Sequence, residues 1–278
     1  MTTKLTILCY NSVAASSSGM AEHGFACYLE GEDGNYLFDT GRGLGIVHNS
    51  IALKKDLSKI KAIMLSHGHY DHTGGLSNVL QIIGETDVYA HPDIFAKKYK
   101  ETQGKEKFVG IPFSRTYLQS LGANFRLNTQ LIEIGKNIYL TGEVPRLNDF
   151  EKGDENLFEY TDTGEKIQPD PLKDDLSVIV ESDKGLVIVF GCAHAGMINI
   201  INYAVKNLNK NKIYAVMGGT HLIASSDEQF TETLKMINEY EIEHVGVPHC
   251  TGPKKAYLLH AKLKDRFFFA SVSTEFEV

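Results

Sequence analysis

Ten residues, Ser66-His67-Gly68-His69-Tyr70-Asp71-His72-Thr73-Gly74-Gly75, follow directly on the apolar run Ala62-Ile63-Met64-Leu65 and place three histidines and an aspartate within six positions. Imidazole nitrogen and carboxylate oxygen are the ligands that Zn²⁺, Fe and Mn share, and so dense a set at a strand end points to a metal loop. His67 and His69, two apart, project to one side if the strand continues, while Asp71 and His72 follow where the chain turns. One ion suits the first pair and a second the later pair. Gly74 and Gly75 let the backbone pass close to the ions, with a helix starting near Thr73.

The remainder reads as a mixed α/β chain. Residues 3–10 form an edge or second strand, and a small-residue loop leads to a hairpin over 23–30 and 36–38 around a glycine-containing turn. A helix near 45–55 precedes the metal-loop strand, and Leu76, Val79, Leu80 and Ile83 mark the apolar face of the helix behind it. After a strand at 88–90, His91 before Pro92 reads as a surface residue and 97–112 as an exposed excursion. A helix over 114–121 and strands near 125–133 and 137–141 come next. Strands at 176–181 and 186–190, a helix over 197–208, a strand at 213–217 and a capping box at Ser226 opening a helix to about 239 follow. Strand 244–247, a helix from Pro253 to about 264 and a closing strand at 266–270 end the pattern. Histidines recur where strands end, as catalytic groups do in layered α/β proteins.

The metal loop resembles the signature of the metallo-β-lactamase superfamily. The likeness extends through Leu37-Phe38-Asp39-Thr40-Gly41, Gly191-Cys192-Ala193-His194-Ala195-Gly196, Gly218-Gly219-Thr220-His221-Leu222 and Pro248-His249-Cys250-Thr251-Gly252. Within the superfamily these elements are similar to the branch named for a dihydropterin-methyl-ribofuranosylaminobenzene-phosphate synthase, beside many metal-dependent hydrolases. The resemblance implies an αββα sandwich, with mixed sheets and helices on the outer faces, as one domain over 1–278. It implies one or two divalent transition ions (Zn, Mn or Fe) on His67, His69, Asp71, His72 and His249, with Asp71 also orienting a nucleophile. It puts Asp39 beneath the loop, where the residues alone equally suit a turn cap. Thr141-Gly142-Glu143-Val144-Pro145-Arg146 resembles a family motif that makes Glu143 and Arg146 substrate contacts; a turn held by its own salt bridge is the alternative.

Two departures from the superfamily pattern stand out. Where members carry a further histidine this chain has Asp174 or Asp175, and where they carry a bridging aspartate it has Cys192 and His194. His194, between small residues, is expected to reach the metals, with Cys192 packed as a small apolar residue; Cys192 and Asp175 remain alternative ligands or supports. His221 is open among ligand, general acid or base, and core histidine.

Charge narrows the substrate. Residues 149–175 hold ten carboxylates against three lysines, which accounts for the whole net charge of −7. This segment reads as an acidic lid or arm, and a balanced remainder argues against nucleic acid as partner. Cys9, Cys27, Cys192 and Cys250 show no paired spacing; the first two read as buried strand residues, the last two as lining the site. No apolar run approaches membrane-spanning length, so the expectation is a cytoplasmic protein with a small-molecule substrate; association with further copies of itself is left open. Two functions follow. The first is a metal-dependent hydrolase or transferase on a small phosphorylated or pterin-like molecule, working through metal-bound hydroxide or a metal-held leaving group. The second is a di-iron redox protein or a ligand sensor with a vestigial site.

Overall fold

Alternation with a period of two splits the strand residues between different cores. In Ser177–Ser182 and Gly185–Phe190, Val178, Val180, Val187 and Val189 face one apolar cluster, while Ile179, Leu186, Ile188 and Phe190 face another. Both faces of these strands are therefore covered, as near-continuous Val/Ile/Leu runs require. The computed structural model describes residues 2–247 and 249–278 and resolves the pattern into two seven-stranded sheets and a four-stranded one. Pro248 of the sequence motif lies outside the described residues.

The first sheet runs in the order Glu275–Glu277, Lys4–Cys9, Ala26–Gly31, Gly34–Phe38, Ile60–Met64, Thr86–Ala90, Ala123–Leu127. The second runs Phe267–Phe269, His244–Val247, Ile213–Gly218, Gly185–Phe190, Ser177–Ser182, Ile138–Leu140, Ile132–Gly135. Each contains a block of adjacent parallel strands, from Gly34–Phe38 to Ala123–Leu127 in one and from Gly185–Phe190 to Phe267–Phe269 in the other. Between the sheets lies a dry core that includes Phe25, Phe38, Met64, Val178, Val189 and Met217. Helices Ile46–Ala52, Leu76–Ile83 and Arg115–Ser120 flank the first sheet; Met197–Leu208, Asp227–Glu239 and Pro253–Leu263 flank the second. This is the αββα sandwich that the resemblance implied. Ser226 caps its helix by accepting from the Gln229 N–H, as the capping box requires.

Several boundaries differ from expectation. The helix after the metal loop is two pieces, Tyr70–Thr73 and Leu76–Ile83, separated by Gly74 and Gly75, which sit against the carbonyls of Arg42 and Thr40 where no side chain would fit. The stretch 125–133 is two strands in different sheets. The presumed excursion at 97–112 supplies strands Lys97–Thr102 and Lys105–Phe108, which join Leu157–Tyr160 and Lys166–Ile167 in the small sheet. His91 is buried, and its Nδ1 accepts from the Asp93 N–H.

Candidate metal centre

The ends of the parallel strands deliver the chemistry. Asp39 follows Phe38, Ser66 and His67 follow Met64, Cys192 and His194 follow Phe190, His221 follows Gly218, and His249 follows strand His244–Val247. Asp39, Ala193, His221 and His249 all have left-handed backbone, with φ of 59°, 55°, 48° and 27°. Non-glycine residues hold such conformations at a cost of about 1–3 kcal/mol each, and they collect where a site overrides local preference.

Two groups of potential ligands share one sulfur. His67, Cys192 and His194 have ligand atoms within 4.8 Å of one another, as do His72, Cys192 and His249. His69 adjoins the first group, its Nδ1 2.9 Å from His67 Nε2; nitrogens this close share one proton or one cation. Asp71 adjoins the second, its Oδ2 3.8 Å from both His72 Nε2 and His249 Nε2. The Cys192 thiol lies 3.3 Å from His72 Nε2. Thus His194 and Cys192, set against each other by the sequence, stand together, and Cys192 is the residue common to both groups.

The electrostatics suit neutral ligands. Burial, reinforced by neighbouring imidazoles, holds His67 and His194 well below the usual histidine range. Burial also lowers His69 and His249 to about 3. His72 is the exception: against burial, Asp39 and Asp71 raise it to about 9, and Asp39 Oδ2 accepts from its Nδ1 at 2.7 Å. That bond fixes the tautomer and leaves Nε2 facing the cluster. Asp71 is buried, yet His72 and a hydrogen bond from His23 hold its carboxyl far below the ordinary range. Burial, then Cys250, push the Cys192 thiol well up, so its deprotonation calls for a cation. His69 Nε2, His249 Nε2 and both ring nitrogens of His194 are buried without a hydrogen-bond partner among the described residues. A buried nitrogen of this kind costs on the order of 1–3 kcal/mol, which metal coordination would remove. The donor set therefore fits divalent metal.

Bracing residues complete the centre. Asp39 accepts from the Ser66 N–H and hydroxyl, both at 2.7 Å. Asp174 accepts from the Gly68 N–H, between His67 and His69, at 2.7 Å; its neighbour Asp175 accepts from the Ala195 N–H, beside His194, at 2.8 Å. One dipeptide thus ties both ligand loops together. Burial raises Asp175 to about 6. Lys98, reaching in from the small sheet, lies 3.0 Å from Asp174 and 3.1 Å from Asp170, all three side chains at 1% exposure or less. Arg146 donates to the carbonyls of His194 and Pro171, while Glu143 stands partly exposed 3.7 Å from His91.

Sequence reasoning passed over His23, whose Nε2 is 3.1 Å from Asp71, and Asn11, which contacts both His23 and His249 Nδ1. It also passed over Lys98. His23 and Asn11 lie outside any ligand spacing, and only the pairing of distant strands brings them in.

A cleft of about 460 Å³ opens beside His194 and His221, walled by residues 149–156 and by Ser225, Ser226, Glu228 and Gln229. Glu151, from this wall, is buried and accepts from the N–H groups of Ile198 and Asn199 at the start of helix Met197–Leu208.

The family model described as the metallo-beta-lactamase superfamily matches residues 21–239. The chain belongs to this superfamily. It is 28% identical over 276 residues to the 7,8-dihydropterin-6-methyl-4-(β-D-ribofuranosyl)-aminobenzene-5'-phosphate synthase of Methanocaldococcus jannaschii, covering 95% of this chain and 92% of that protein. An uncharacterized protein of the same organism, MJ0448, is 30% identical over 84% of this chain and 86% of its own length. Among solved structures, Tm1679, a metal-dependent hydrolase of the β-lactamase superfamily, superposes with a TM-score of 0.86 at 27% identity, covering 99% of each chain. The superfamily binds divalent metal ions, in keeping with the histidine and cysteine groups here. No helix among the described residues is long and apolar enough to cross a membrane.

Proposed function

We propose that the chain is a metal-dependent enzyme acting on a small, phosphorylated, pterin-like molecule, as a hydrolase or as a transferase that releases pyrophosphate. One observation carries this: unpartnered, buried ring nitrogens of His194 and His249 gather around Cys192, and His194 also lines an open cleft. On this reading His67, His69, Cys192 and His194 hold one divalent ion, and Asp71, His72, Cys192 and His249 a second. A thiol shared by both favours Zn²⁺ over Fe or Mn. Such an ion supplies Lewis acidity, which neutralises charge on a leaving oxygen and acidifies water near neutral pH.

The chain's own residues supply the rest. His221 packs against His194 with ring centroids 4.2 Å apart, and burial lowers it to about 4, so it is neutral at pH 7 and able to accept a proton from an attacking amine or water. Asp149, Glu155 and Glu228 offer carboxylates to the cleft, with Ser225, Ser226 and Gln229 beside them. Acceptors of this kind suit the amino and ring N–H groups of a pterin edge. Lys152 is the one cation among the cleft-lining residues, which leaves the metal centre as the place for phosphate charge. Similarity to the Methanocaldococcus synthase supports the pterin-like substrate. In the transferase reaction the arylamine nitrogen bonds to the pterin methylene carbon as the carbon–oxygen bond to pyrophosphate breaks, and the amine proton passes to His221.

The test is pyrophosphate release from a dihydropterin pyrophosphate with an arylamine, run beside phosphodiester and ester reporters on fully metallated protein. Turnover that His67→Ala abolishes is expected. No turnover in any of the assays would turn the interpretation toward a ligand sensor.

A further inference from the structure

Cys250 has no place in either ligand group, yet its sulfur is built against the backbone of Cys192, the residue that both groups share. Its Sγ lies 3.5 Å from the Cys192 carbonyl oxygen and receives the His221 N–H at 3.1 Å. Gly219 makes the room: a methyl group there would meet Cys250 Sγ at 2.7 Å and Cys192 Cα at 3.0 Å, so any larger residue would push Cys250 away from Cys192. Cys192 is buried, whereas Cys250 is partly open to solvent. The remaining cysteines, Cys9 and Cys27, are fully buried in strands of the other sheet.

We propose that Cys192 and Cys250 form an oxidisable dithiol, a modification site for hydroperoxides that closes when the metals are absent. The sulfur of Cys250 attacks the peroxide O–O bond, so that an S–O bond forms, the O–O bond breaks and an alcohol or water departs. The Cys192 sulfur then attacks Cys250 Sγ, forming the S–S bond and expelling the sulfenic oxygen as a second water. Two thiols lose two electrons to one peroxide, and both thiol protons leave in the products. The disulfide withdraws the one donor common to both ligand groups. Peroxide would therefore lock the metal-free protein out of metal uptake, while bound metal, by engaging Cys192, would keep the crosslink from forming. The metal consequence rests on the ligand assignment proposed above; the crosslink itself does not.

Hydrogen peroxide on the metal-free full-length chain, followed by thiol titration and peptide mass mapping, tests this. The expected result is loss of two of the four thiols, a Cys192–Cys250 linked peptide lighter by two hydrogens, and loss of zinc uptake that a thiol reductant restores. Zinc-loaded protein should yield no Cys192–Cys250 linked peptide under the same exposure. Cys250→Ser should bind zinc before peroxide and still bind it afterwards. Oxidation of Cys250 to a sulfinic acid without a link, no thiol loss, or equal loss of zinc uptake in Cys250→Ser would each overturn the proposal. Failure of the reduced protein to bind zinc at all would instead count against the proposed function, since the mass map reads the crosslink without metal.

Discussion

Replacing Lys98 by Met keeps the side chain's length and removes its charge from among two buried carboxylates. Its ammonium stands 3.1 Å from Asp170 and 3.0 Å from Asp174, with all three side chains essentially inaccessible, so solvent screening takes little from the interaction. Breaking a buried pair by deleting one partner costs about 3–5 kcal/mol, because the remaining charge is stranded. Against a typical total of roughly 5–15 kcal/mol, the variant should fold with much reduced stability, and urea denaturation would show it as a lower midpoint at an unchanged slope. The pH dependence carries the sign. Both carboxylates hold Lys98 above its ordinary 10.5, so its contribution in the parent is complete below that value and lost as pH rises through the raised one. In the variant that alkaline loss should vanish. Its stability should instead rise on acidification, since the native state then binds a proton at Asp170, whose carboxyl burial holds above the ordinary range. Adding Asp170→Asn should recover part of the deficit. Because Asp174 holds the Gly68 N–H, metal affinity should also fall by roughly 10–100-fold. A Lys98→Met protein within about 1 kcal/mol of the parent, or one whose stability ignores pH from 5 to 8, would refute the reasoning.

Asp39→Asn should leave the fold intact and weaken metal binding about 10–100-fold, read by competition with a chromophoric chelator, because His72 loses the carboxylate that fixes its tautomer. Cys192→Ser should deplete both ions and abolish the sulfur-to-metal charge-transfer band of the cobalt form, whereas His194→Ala should lose one ion and keep the band; the reverse pattern would return the shared position to His194. Glu151→Ala removes the acceptor for two N–H groups at the start of helix Met197–Leu208, a loss of about 1–2 kcal/mol, and should speed proteolysis within 149–156.

The layered fold and the metal loop were legible because both rest on local pattern. Strands Ser177–Ser182 and Gly185–Phe190 announce themselves by β-branched runs, and the cluster of histidines and aspartate at residues 67–72 by spacing alone. What stayed hidden depends on long-range pairing. Lys98 looked like one charge in an exposed excursion until its strand paired with Leu157–Tyr160 and turned it inward. Asp170, Asp174 and Asp175 looked like part of a solvated acidic arm, since nothing in their sequence shows that Gly68, Ala195 and Lys98 await them. The weighing of His194 against Cys192 assumed one position to be filled, whereas the turn at Ala193 directs both side chains into the centre.

Because the candidate ligands are drawn from strand ends of both sheets, an ion here would act as a rivet across the seam between the two halves of the chain. His67, His69, Asp71 and His72 belong to one half, and Cys192, His194 and His249 to the other. Occupancy would then be part of the protein's mechanical integrity: an ion at about 1,000 times its dissociation constant adds roughly 4 kcal/mol to stability. A cell short of metal would lose this protein to proteolysis as well as to inactivity, and a chelator would act on it as a mild denaturant.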